Sequence, residues 1–138
     1  MPWEFIIKEL HAHPNQQKHG FSAKGELVSP GGMRWDAISG PFQKGHLPVT
    51  TYKISDCRLR EKTSMTDDAG NAWSCNIDQS TDPSRTLLRI HPDGNNEGTL
   101  GCIGISEKDT TSVYNALKNS NDTTLIVRFA RDGNWLVA

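Results

Sequence analysis

Cys102 and His91 are the two residues of this chain whose types and spacing could do chemistry together. They bound the stretch HPDGNNEGTLGC and stand eleven positions apart. A free thiol is a weak nucleophile at neutral pH, because its ordinary pKa is about 8.5. An imidazole that removes its proton leaves a thiolate able to attack acyl carbons. The two side chains must then approach within about 3–4 Å, which needs a chain reversal between them. Gly94-Asn95-Asn96-Glu97-Gly98 suits such a reversal. Gly101 lets the backbone before Cys102 adopt a positive φ or admit a substrate closely. The N–H groups of Gly101 and Cys102 are candidates for an oxyanion hole. A third group usually orients the base; the candidates are Ser39, Thr99, Asp93 or a backbone carbonyl. Asp93 and Ser39 also read as turn formers, in Pro92-Asp93-Gly94 and before Gly40-Pro41. The plain alternative is that Cys102 is a core thiol, since cysteine is among the most buried residue types.

The chain carries other chemistry-bearing residues. His11-Ala12-His13, followed by His19, could bind a metal. An HxH on a first strand also occurs in metal-dependent barrels of about 250 residues, for which this chain is too short, and a polar cluster beside a turn explains the histidines better. No metal and no cofactor is expected. Cys57 and Cys75 read as core residues or as a disulfide pair, and either could be the nucleophile of a Cys–His amidase. Neither, however, sits at the strand-to-helix junction where such nucleophiles are placed. Trp3, Trp35, Trp73 and Trp135 read as core or groove aromatics.

The elements that must position these groups are mostly strands. Apolar and β-branched runs predict strands over Phe5–Leu10, His19–Val28, Met33–Ser39, Thr50–Ile54, Ala72–Ile77, Thr86–Ile90, Thr123–Phe129 and Trp135–Val137. Turn chemistry separates them at Ser29-Pro30-Gly31-Gly32, Gly40-Pro41, Asp67-Asp68-Ala69-Gly70-Asn71 and Arg131-Asp132-Gly133-Asn134. One helix is predicted near 107–118, with Ser106 as N-cap, Glu107 and Asp109 in its first turn, and Val113 and Leu117 on one face. The fold class is therefore mainly β, a sandwich or barrel of antiparallel sheets that hides its strand edges, with one packed helix.

Length and composition bound the rest. The 138 residues suit a single domain spanning 1–138, which buries roughly 68% of its surface on folding and needs no disulfide or metal to stay folded. Lys+Arg 15 against Asp+Glu 16 leaves no basic block, so nucleic acid is not an expected partner. No apolar run approaches the roughly 20 residues of a membrane span, and MPWEFIIKELHAHP lacks the pattern of a Sec signal. The expected route is synthesis in the cytoplasm and delivery by other means. Three cysteines leave at least one thiol free.

The order strand–His91–glycine-rich loop–Gly101-Cys102-Ile103 resembles the catalytic end of L,D-transpeptidase (YkuD-like) domains. Thr99, Gly101, Cys102 and Ile103 fit the motif of that family. Leu100 stands where its second histidine is usual, Gly104 stands where arginine is usual, and the spacer is shorter. Compact relatives found as antibacterial effectors, including those of type VI secretion, and in phage genomes carry such an abbreviated motif. The segment 37-AISGPFQKGHLPVTTYKI-54 resembles their upstream Ser-Gly-Pro…Gly-x-Leu-Pro-x-Gly-x-Tyr stretch, with Thr50 in place of glycine. Together the two segments span residues 37–106, about half the chain.

The resemblance implies acyl transfer on peptidoglycan stem peptides, with Cys102 as nucleophile and His91 as base and then acid. Water as acceptor gives L,D-carboxypeptidase activity; an amine gives a cross-link or exchanges a terminal D-amino acid. Without the motif arginine, substrate binding would fall to Arg89, with Arg85 and Lys44 as alternatives. A cognate immunity protein is the implied partner of an effector, and the periplasm and cell wall its place of action. A non-catalytic β-rich module of a phage or secretion apparatus is the reading from a different class.

Overall fold

The computed structural model describes residues 1–42, 44–61, 65–78, 87–94, 99 and 101–131. Eight strands and one helix follow in chain order: β1 (Trp3–Ala12), β2 (Phe21–Val28), β3 (Arg34–Ser39), β4 (Thr51–Leu59), β5 (Trp73–Asp78), β6 (Arg89–Pro92), β7 (Ile103–Ile105), α1 (Thr111–Asn119) and β8 (Thr124–Phe129). The strands close into a barrel in the order β1-β2-β3-β7-β6-β5-β4-β8. The protein is thus mainly β with one helix, as its residue pattern predicts. The sheet is not wholly antiparallel: β1 pairs with β8, and β6 with β7, in parallel. Closure leaves no free sheet edge among the described strands.

Side-chain alternation explains the strands. Trp3, Phe5 and Ile7 are buried on β1 and Lys8 is exposed. A register shift between Ile7 and Glu9 then resets the alternation, so that Leu10 is buried too. Gly25 permits this irregularity, because a Cβ there would lie 1.8 Å from the Ile6 carbonyl oxygen. Inward residues from every strand, among them Leu27, Trp35, Ile54, Ile77, Ile90, Ile103 and Val127, fill the barrel as one core.

The pairings orient β1, β3, β5 and β8 one way and β2, β4, β6 and β7 the other. One barrel end therefore gathers Trp3, Trp35 and Trp73, and α1 closes it. Val113 and Leu117 of α1 enter the core. The three indole N–H groups donate to hydroxyls at and beside the helix: Trp3 to Ser120 Oγ (3.1 Å), Trp35 to Ser112 Oγ (2.9 Å) and Trp73 to Thr110 Oγ1 (2.7 Å). These tryptophans are core residues with a polar tether; Trp135, its strand and its turn lie outside the described residues.

The helix begins at Thr111, later than the Ser106 N-cap expected. Ser106 and Glu107 are taken up by β3 instead: the Ser106 N–H donates to the Asp36 carbonyl (2.8 Å), and Glu107 Oε1 accepts the Asp36 N–H (3.0 Å). Asp67, from a distant turn, accepts the Thr110 N–H and hydroxyl at 2.7 Å each. Burial alone would raise the pKa of Asp67, but the hydrogen bonds from Thr110 and Asn71 outweigh it and hold the carboxyl below its ordinary value.

Cys57 and Cys75 form a disulfide across β4 and β5. It sits at a register shift between Ser55 and Arg58 of β4, where Asp56 has a φ of 51°. The bridge spans 18 residues of sequence, and closing a loop of that size restricts the unfolded chain by about 3 kcal/mol. A Cys57→Ala/Cys75→Ala variant should therefore melt roughly 10 °C lower; an unchanged melting temperature by circular dichroism would contradict this.

Candidate active site

Cys102 lies at the barrel mouth opposite α1, one residue before β7. His91 is on β6. The parallel register sets Ile90 beside Ile103 and His91 beside Gly104, and both isoleucines point into the core. The residues flanking them, Arg89 and His91 on β6 and Cys102 and Gly104 on the β7 side, therefore share the outer face. His91 and Cys102 are diagonal neighbours there, offset by two residues, or roughly 7 Å of strand rise.

In this structure the thiol and imidazole are not hydrogen-bonded to each other. Cys102 Sγ accepts the Arg89 N–H (3.3 Å), and its S–H donates to the Leu87 carbonyl (3.7 Å). His91, 8% exposed, donates from Nδ1 to the Pro92 carbonyl (2.6 Å). That bond sets the neutral tautomer and leaves Nε2 as the lone-pair acceptor, the state a general base requires. Burial pushes the His91 pKa down, offset in part by the Pro92 carbonyl and reinforced by the Arg89 charge. Burial pushes the Cys102 thiol up, opposed by the Arg89 N–H and guanidinium. The resting pair is therefore neutral thiol and neutral imidazole. The fast alkylation at neutral pH that a preformed thiolate would give is not expected. Iodoacetamide labelling of Cys102, followed by mass spectrometry, should instead rise with pH through a midpoint above that of a free thiol. A rate already at its plateau at pH 7 would show that the thiolate is stabilised at rest.

The turn that presents Cys102 is pinned by the two segments that carry the family-like motifs. Ser39 is fully buried; its Oγ donates to the Gly101 carbonyl (3.3 Å) and accepts the Leu47 N–H (2.8 Å). Thr99 Oγ1 accepts the N–H groups of Gly40 (3.0 Å) and Gly101 (3.2 Å) and donates to the Cys102 carbonyl (2.7 Å). The Thr99 backbone adds bonds to the Gly40 carbonyl (2.7 Å) and the Phe42 N–H (3.1 Å). Leu47 is fully buried and carries the segment 44–50 into the core at this mouth. Tyr52 Oη donates to the Pro48 carbonyl (2.6 Å).

Several expectations change on this geometry. Ser39 and Thr99 do not contact the base; they hold the backbone of the nucleophile, and the Pro92 carbonyl orients His91. The Gly101 N–H is occupied by Thr99, so of the two proposed oxyanion donors only the Cys102 N–H remains. Gly101 has a φ of 117°, which a side chain would strain. Asp93 fills the space beside Gly104, where an added Cβ would meet Asp93 Oδ1 at 2.6 Å. A side chain at position 104 would require the Asp93 side chain to move. Arg89 adjoins Cys102 in the β6–β7 register, on the same face. Leu100, Arg85 and the segment 95–98 lie outside the described residues.

The other constellations resolve without chemistry. His11 Nε2 pairs with Glu9 (3.0 Å), and His13 and His19 meet edge to face at 4.4 Å beside Phe42. Among the described residues no three histidine, cysteine or acidic side chains converge on a metal position. The disulfide consumes both thiols that a Cys57 or Cys75 amidase would need, and Cys102 is the free one. Among the described residues, no helix is long and apolar enough to cross a membrane. Residues not anticipated from sequence are Arg58, Arg60 and Ser74, which line a cleft of about 490 Å³ together with Trp73, Arg89 and His91. Nothing local marks them, because β4, β5 and β6 bring them together only in the closed sheet.

No protein-family model, no curated protein and no solved structure matches this chain.

Proposed function

We propose that the protein is a cysteine acyltransferase or hydrolase of the L,D-transpeptidase kind, acting on peptidoglycan stem peptides. The observation that carries this reading is the knitting of Ser39-Gly40 and Thr99 around Cys102, on the barrel face that also bears His91 with Nε2 free to act as base. Cys102 Sγ attacks the carbonyl carbon of the donor peptide, and the thiol proton passes to His91 Nε2. The amide C–N bond breaks, the leaving amine takes that proton, and a thioester remains on Cys102. Water or an acceptor amine then attacks the thioester, loses its proton to His91 and releases the thiol. The Cys102 N–H binds the developing oxyanion, and Arg89, whose own N–H meets the Cys102 thiol, supplies a cation for the substrate.

The Cys57–Cys75 disulfide supports action in an oxidising compartment such as the periplasm. Delivery by a secretion system or release by phage lysis fits that compartment, and an effector would have a cognate immunity protein binding near Cys102. The rival reading, a non-catalytic β-rich module of a phage or secretion apparatus, draws on the absence of a hydrogen bond between Cys102 and His91.

Purified muropeptides incubated with the protein and read by mass spectrometry test the reading. Loss of a terminal D-alanine, its exchange, or a cross-link each names the dominant reaction. Unchanged muropeptides, with a wall sample attacked by a control enzyme, would favour the rival.

A further inference from the structure

The cleft on the outer face of β4, β5 and β6 is rich in guanidinium groups. Arg58, Arg60 and Arg89 line it beside His91, and Glu61 is the single carboxylate among the described residues of the lining. Arg58 is already compensated by an ion pair with Asp56. Arg60 spends its Nε on Ser74 Oγ (2.8 Å), which holds the fork in place while its terminal nitrogens stay unpaired with any carboxylate among the described residues. Arg89 Nε is buried and has no partner among the described residues.

Asn76 stands directly across from Arg89 in the β5–β6 register. Its Oδ1 is the other buried side-chain atom without a partner among the described residues. An unmatched buried donor and an unmatched buried acceptor side by side, in the same row as Cys102, are costly unless a ligand meets them. The donor suits a carboxylate oxygen, and guanidinium forks match carboxylates bidentately. Two guanidinium groups in a cleft that also has apolar walls at Leu59 and Met65 suit a peptide bearing carboxylates better than an inorganic anion.

We infer that this cleft is a specificity subsite for a peptide donor with two free carboxylates, one bound by Arg89 beside the nucleophile and one by Arg60 further along. The inference rests on the acyl-transfer reading for the identity of the donor, but not for the cleft's chemistry. The exposed side chains of Leu59 and Met65 on its walls take the apolar part of the peptide, as small-ligand sites commonly do.

Calorimetric titration of the full chain carrying Cys102→Ala tests it, with two pairs of probes. The first pair is a stem tetrapeptide and the same peptide amidated at both free side carboxylates. The second is N-acetyl-Glu-Glu and its fully amidated counterpart. The acids should bind at least about tenfold more tightly than the amides. Arg60→Gln should remove about as much, and added salt should weaken acid binding. Arg60→Lys, which keeps the charge but not the fork, serves if the glutamine variant fails to fold. Equal affinity for acid and amide, or undiminished binding in a folded Arg60 variant, overturns the subsite. Acid-selective, Arg60-dependent binding of N-acetyl-Glu-Glu without turnover of muropeptides would support the cleft and sink the wall-enzyme reading. Turnover equally fast on acid and amide donors would sink the cleft and keep that reading.

Discussion

Replacing Cys102 with alanine should lower turnover of muropeptides at least about a thousandfold, because no other group of the site can form the thioester. The fold should survive. Cys102 is only partly buried, lies outside the apolar core and precedes β7 rather than sitting within it. Its carbonyl, not its side chain, receives the Thr99 hydroxyl, so the turn keeps its Thr99 bonds in the variant and loses only the thiol's contacts with the Arg89 N–H and the Leu87 carbonyl. Cys102→Ser should be similarly inactive, since a hydroxyl is far harder to ionise than a thiol. The decisive measurement is muropeptide mass spectrometry on variants with native circular dichroism. Full activity in a folded Cys102→Ala protein would end the case for acyl transfer at this site.

The second large effect is expected at His91. His91→Gln should reduce kcat/KM by about 10²–10⁴-fold, and it should also change the pH profile. The base works only when its imidazole is neutral. Burial and the Arg89 charge lower its pKa below the ordinary value, so the neutral fraction persists to lower pH than for a free histidine. The wild-type acid limb should therefore fall below the usual histidine range, and the glutamine variant should lose that limb. A variant that retained the limb would assign it to another group. A merely structural His91 would lower the melting temperature and leave the shape of the profile intact.

What could be read from the chain without its fold was mostly local. Alternating apolar residues such as Trp3, Phe5 and Ile7 mark strands, and Val113 with Leu117 mark a helical face, because each signal spans less than ten residues. The His91–Cys102 pair was legible for the same reason, its glycine-rich spacer being one contiguous stretch. Features made by distant pairing were not. Ser106 has the chemistry of an N-cap, yet Asp36 of β3 claims its N–H, and the cap is served by Asp67 from another turn. Ser39 and Thr99 are polar groups near the motif, which suggested contact with the base; only the β3–β7 register shows that they bond the backbone of the nucleophile instead. The arginine-lined cleft needs three strands in register; His91 and Arg89 stand out beside the Cys102 motif, but Arg58, Arg60 and Ser74 do not stand out in their own segments.

The barrel closes through the parallel pairing of β1 with β8, Trp3 beside Leu125 through Ile7 beside Phe129. These partners are separated by more than a hundred residues, so the seam is the contact with the greatest loop-closure cost and among the last that can form. The β3–β7 and β6–β7 pairings that assemble Cys102 and His91 span shorter stretches of chain but belong to the same ring. A chain in which β8 has not yet docked has an open ring with two unpaired edges. Assembly of the thiol–imidazole face is in this sense tied to the last strand: an open-ring molecule carries every residue of the site but not the closed sheet that arranges them.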